Sequence, residues 1–229
     1  MRYLGLALFA EGPTDYRFLP PVLRRATEDL CLRARFTVEV GEVVRLYAPD
    51  EYRDADGATQ ILEAAREAVG AFSILFIHTD GAGDPVAAHQ QRVQPAAQRI
   101  AELGRQQERT VGVVPVREME AWTLVDGDAL RGAFGTVLDD SALGIPKKVR
   151  EVEGILDPKQ ALEQAYAKVV GSRRRGKRKA AEFFDAIGER VRLERLRELP
   201  AYQRFEDDLG MALVELGYLS QDSNIKPSQ

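Results

Sequence analysis

The stretch Leu4 to Leu19, LGLALFAEGPTDYRFL, decides the fold. Its first half belongs to a nearly continuous apolar run, Tyr3 to Ala10, bounded by Glu11, Gly12 and Pro13. Such a run is the pattern of a strand buried on both faces of a parallel sheet. Its second half opens a helix: Pro13 suits a first turn, and Phe18, Leu19, Val22, Leu23 and Ala26 form an apolar stripe. A buried strand that feeds a helix through a short acidic turn is the opening unit of an α/β fold.

Further along, Phe36 to Leu46 is rich in valine and interrupted by Gly41, which predicts a second strand or a bent one. Ala58 to Val69 carries Ile61, Leu62, Ala65 and Val69 at helical spacing, and Ser73 to Thr79 reads as a short apolar strand. Pro85 to Leu103 predicts a helix that Pro95 starts, kinks or splits, and Thr110 to Val116 a fourth strand. This alternation predicts a mostly parallel sheet flanked by helices over residues 1–126. After Trp122 only helices are expected, among them Pro158 to Val170, Ala180 to Arg190, Val191 to Leu199 and Tyr202 to Leu216. They would form a C-terminal helical appendage on the same core over residues 127–220, followed by a polar tail, 221–229, expected to be disordered.

With 45% hydrophobic and 30% charged residues in 229, the composition is that of an ordinary globular chain with one main fold. Its apolar runs fall far short of the roughly 20 residues that span a bilayer, and the N-terminus lacks a secretory cleavage site, so a cytoplasmic location without membrane contact is expected. Cys31 is the only cysteine, which excludes an internal disulfide and a cysteine-based zinc site. The net charge of -4 argues against a uniformly basic nucleic-acid binder. Positive charge is nevertheless concentrated in Arg173, Arg174, Arg175, Lys177, Arg178 and Lys179, enough to meet several phosphates.

Acids recur where strands end: Glu11 after the first, Asp80 and Asp84 after the third, Glu118 and Glu120 after the fourth. The ends of parallel strands lie on one edge of the sheet, so these carboxylates are expected to converge. Asp15 follows Glu11 by four residues across the turn, Gly81 and Gly83 permit a tight bend, and in extended geometry Glu118 and Glu120 share a face. Without a cation such a cluster would repel itself. Oxygen donors in a chain with two histidines point to Mg2+ or Mn2+, ions that stabilise the attacking and leaving oxygens of a phosphodiester. His78 reads as an ordinary strand residue, His89 as one able to approach the cluster, and Trp122 as a core anchor. Lys147, Lys148 or the basic run would supply a cation to the scissile phosphate.

The segments EGPTD (Glu11 to Asp15) and DGAGD (Asp80 to Asp84) resemble the TOPRIM domain of topoisomerases, bacterial primases, ribosomal-RNA maturases and OLD (overcoming-lysogenization-defect) nucleases. The resemblance covers roughly residues 1–125. EGPTDYRFL, PVREMEAWTLVD and LERLRELPAYQRFEDDL look like a family of small stand-alone TOPRIM-like bacterial proteins, often encoded beside an ABC or AAA ATPase in defence loci. It implies that Glu11, Asp15, Asp80 and Asp84, with Glu118 or Glu120, hold Mg2+ for cleavage of DNA or RNA. The usual D-x-D is altered: three residues separate Asp80 from Asp84, and Ala82 stands at the expected second position. The resulting expectation is a metal-dependent nuclease with Glu11, Asp80, Lys147 and Lys148 as catalytic residues, acting on nucleic acid with an ATPase partner. Two alternatives are a non-catalytic nucleic-acid or ATPase-binding subunit and a small-substrate phosphohydrolase.

Overall fold

Strands β1 (Arg2–Phe9), β2 (Val38–Leu46), β3 (Ile74–His78) and β4 (Arg109–Val113) pair in the order β2-β1-β3-β4, every pair parallel. The computed structural model describes residues 1–171 and 179–221. Arg173, Arg174, Arg175, Lys177 and Arg178, and all of the expected tail except Gln221, lie outside the described residues.

Alternation along the strands divides the interior in two. Leu4, Leu6, Leu8, Ile74, Phe76, Val111 and Val113 enter the larger core, while Ala7, Leu75 and Ile77 enter the smaller. Helix α2 (Gly57–Glu67) and helix α4 (Gln94–Ala101) cover the smaller core with Ile61, Ala65, Ala96 and Ile100. Between α3 (Pro85–Ala88) and α4 runs a π-helical turn, His89–Val93. Pro95 brings no N–H to the ladder, and the wider turn just before it accommodates that loss.

The larger core lies under α1 (Asp15–Cys31) and continues without a break through the C-terminal helices. These are α5 (Glu120–Thr123), α6 (Gly127–Phe134), α7 (Asp140–Leu143), α8 (Pro158–Val170), α9 (Phe184–Arg190), α10 (Leu193–Leu196) and α11 (Pro200–Glu215). Trp122, Tyr202 and Phe205 are fully buried and pack ring against ring at its centre. Trp122 is thus the anchor its sequence context predicts. Helix α9 approaches α1 so closely that a Cβ on Gly188 would lie 2.5 Å from the Phe18 carbonyl oxygen.

The break foreseen at Gly41 is a bulge: the register passes from Leu4–Val40 to Leu6–Val43, with Gly41 lying under the Tyr3 ring. Strand β4 ends at Val113 rather than Val116, because the Val116 and Arg117 carbonyls accept from the Gly83 and Ala82 N–H groups of the preceding loop. Glu118 and Glu120 therefore do not share a face of an extended strand. Met119 between them has helical dihedrals (φ -55, ψ -29), and Glu120 is the first residue of α5. No helix among the described residues is long and apolar enough to cross a membrane.

Candidate metal centre

The first crossover leaves β1 toward β2 and the later ones lie on the other side, so the order reverses between β1 and β3. At such a switch point the loops after neighbouring strands separate and leave a crevice for ligands. The loops after β1 and β3 supply Glu11, Asp15 and Asp80, and the loop after β4 supplies Glu118 and Glu120.

Glu11 is exposed, and its Oε1 accepts from Thr79 Oγ1 at 2.7 Å, which ties the first loop to the second. Asp15 is buried, and its Oδ2 accepts from Gly12 N–H at 2.8 Å. Asp80 Oδ1 accepts from Met119 N–H at 3.3 Å, which ties the second loop to the third. Asp15 is thus held within its own loop, and Glu11 and Asp80 each by the loop that follows the next strand in the sheet.

His78 closes β3 beside them, its side chain 1% exposed. Nδ1 lies 2.9 Å from the Val113 carbonyl oxygen across the β3–β4 pair. A carbonyl only accepts, so Nδ1 carries the hydrogen and Nε2 of the neutral ring keeps its lone pair. That Nε2 is buried without a hydrogen-bond partner, 3.6 Å from both Asp15 Oδ2 and Asp80 Oδ1. Glu118 Oε2 is likewise buried and unpartnered.

Crowding of like charge shows in the acids. Burial first, then the Asp15 and Glu11 charges, push the Asp80 carboxyl up to about 6 against the opposing pull of His78 and the Met119 N–H. Burial, with Glu118, Asp80 and Asp15, pushes Glu120 up to about 7. Carboxylates from all three loops therefore feel one another.

Other residues singled out from the sequence make no hydrogen bond or ion pair with these acids among the described residues. Asp84 is exposed, and its Oδ1 accepts from Ala87 N–H to cap α3. Lys147 and Lys148 are exposed in the loop that enters the 3-10 helix Val149–Gly154, which packs on α5. Lys179 opens the 3-10 helix Ala180–Phe183, where its backbone N–H donates to Glu182. His89 lies against Gly112 and counteracts the burial that raises Asp208. Arg117 carries no site signal in the sequence. Its guanidinium sits about 4 Å from the position a Cβ on Gly83 would take, and it has no ion pair or side-chain hydrogen bond among the described residues. Beside Glu11, His78 and Thr79 opens a cleft of about 640 Å3, also lined by Tyr16, Tyr47, Arg53, Gln60 and Arg92.

A family model described as a domain of unknown function, DUF4276, matches residues 10–210 and so takes in all three loops and most of the helical part. The chain belongs to the DUF4276 family. No curated protein and no solved structure matches it. In this DUF4276 chain the donors fit a hard or borderline divalent ion in chemistry: carboxylates gathered from three loops, with an orphaned imidazole nitrogen between two of them. Among the described residues no group of three or more His, Cys, Asp or Glu side chains stands close enough together to hold a metal ion, so the approaches to His78 are pairwise.

Proposed function

We propose that this DUF4276 chain is a divalent-cation-dependent nuclease of TOPRIM type, with Glu11, Asp15, Asp80 and Glu120 holding Mg2+ or Mn2+. The observation that carries the reading is the meeting of acids from three strand-end loops at the switch point, where Asp80 and Glu120 are both disfavoured as anions. A bound divalent ion would supply a water of lowered pKa and charge to offset that of the phosphate.

The chain's own side chains do the rest. Thr79, Gly12 N–H and Met119 N–H fix the orientation of Glu11, Asp15 and Asp80. Arg92 at the cleft and Arg117 over the loop after β3, neither with an ion pair among the described residues, are placed to meet phosphate oxygens. Tyr47, 60% exposed and 4.8 Å from the Tyr16 ring, offers a face for a base. The basic run from Arg173 to Lys179 belongs to the same proposal as a contact for backbone phosphates. A cytoplasmic location belongs to the same proposal, as does an ABC or AAA ATPase partner, which rests on the resemblance of the segments quoted above.

A second reading, a binding subunit that keeps the fold without turnover, is favoured by Asp84 serving as a helix cap and by Ala82 at the altered D-x-D. Cleavage of labelled single- and double-stranded DNA and RNA in Mg2+, Mn2+ or EDTA separates the two. We expect cleavage abolished by EDTA and reduced roughly 100-fold or more in Asp80→Asn and in Glu11→Gln. Nucleic-acid binding without cleavage by the unaltered protein would favour the binding subunit. Equal cleavage in all three proteins would expose a contaminant.

A further inference from the structure

We propose that His78 is itself a ligand of the bound cation, so that the centre prefers a first-row transition ion such as Co2+ to Mg2+. The inference rests on the cation-dependent reading above and names the ion class of that same site. The orphaned Nε2 is independent of the acidic cluster as evidence: the ring is almost completely buried, its other nitrogen is committed to Val113, and its free lone pair faces two carboxylate oxygens.

At 3.6 Å neither contact is a hydrogen bond. In the neutral ring a lone pair aimed at two anionic oxygens repels them, and a proton or a metal ion on Nε2 relieves that repulsion. Donors 3.6 Å apart nonetheless fit within the reach of one ion, since bonds of about 2.1 Å allow ligand atoms up to about 4.2 Å apart. The backbone carbonyl on Nδ1 is the usual outer support of a metal-bound imidazole and fixes both tautomer and ring angle. Imidazole nitrogen is a poor partner for Mg2+ and a good one for later first-row ions, so its inclusion sets the preference.

Calorimetric titration of the full chain with CoCl2 and with MgCl2 tests this alongside His78→Gln. The expected result is tighter binding of Co2+ than of Mg2+ by about tenfold or more, with that preference lost in the variant while Mg2+ affinity stays nearly the same. Metal binding with an unchanged preference in His78→Gln overturns the inference and leaves the nuclease reading standing. No binding of either ion to the unaltered protein overturns both.

Because His78 is buried and its replacement puts folding at risk, a second measurement uses the native ring. In protein labelled with 15N-histidine, Zn2+ should move the Nε2 resonance of one of the two histidines, and the moving signal should persist in His89→Gln. A signal that disappears with His89, or none that moves, sinks the assignment.

Discussion

Ala82 carries the one positive φ, 48°, found at a non-glycine position among the described residues. A left-handed conformation costs an L-residue roughly 1–2 kcal/mol. Here it is held by the N–H bonds from Ala82 and Gly83 to the loop after β4. Ala82→Gly should therefore raise the stability of the metal-free protein by up to about 1 kcal/mol in urea unfolding. A loss would mean that the methyl group packs usefully. Glu120 gives a pH signature. Its carboxyl is raised from 4.5 to about 7, so over that window the folded chain binds more protons than the unfolded one. Stability in EDTA should then fall as pH rises from about 4.5 through about 7. Glu120→Gln should lose much of that slope in calorimetry across the range, and an unchanged slope would place the penalty on other groups. Asp80, with its side chain 44% exposed, contributes less. Glu11, Asp15, Asp80 and Glu120 were legible as acids at strand ends. Asp84 was not separable from them, since a helix cap and a ligand have the same sequence signature. His78 was hidden because its role depends on the pairing of β3 with β4, 35 residues away.

At the scale of elements, Asp126 joins α6 to α10. Its side chain is fully buried and accepts from Asp128 N–H at 3.1 Å, while Arg192 Nε and Nη2 donate to it at 2.8 and 2.7 Å and the Arg192 backbone N–H at 3.0 Å. Arg192 holds its carboxyl below the usual range despite burial. Asp126→Ala should cost about 2 kcal/mol, because it leaves the backbone N–H groups of Asp128 and Arg192 without their acceptor, while the half-exposed Arg192 guanidinium keeps its pair with Asp128. Chemical denaturation checks this, and a loss under about 1 kcal/mol would show that solvent takes over from the carboxylate. Strands and long helices were readable because their apolar periods run for several residues, as in β1 and α8. Helices α6 and α7 were not, being 8 and 4 residues long, although Asp126 and Asp139 cap them and Gly135 and Gly144 end them in left-handed turns. The end of β4 was misjudged for a different reason. Val114 to Val116 has strand composition, but the loop after β3 takes the Val116 carbonyl that a longer strand would offer.

For the molecule as a whole, residue 126 ends a sequence pattern without ending the core. Phe76 of β3 meets Phe205 of α11 at a ring separation of 6.0 Å, and Phe18 of α1 meets Phe184 of α9 at 6.4 Å. A fragment of residues 1–126 would expose the part of the sheet that α11 covers and the side of α1 that α9 covers, and we expect it to show no cooperative thermal transition by circular dichroism. A sharp transition would instead identify an autonomous domain. The bulge at Gly41 has a bearing on self-assembly. Strand β2 lies at the sheet's margin, where a flat, regular strand would offer its unpaired amides to a second chain. Instead it is kinked at Gly41, and Glu39, Glu42 and Arg45 stand exposed along it. The same irregularity that seats Tyr3 thus discourages edge-to-edge pairing of one sheet with another at high concentration.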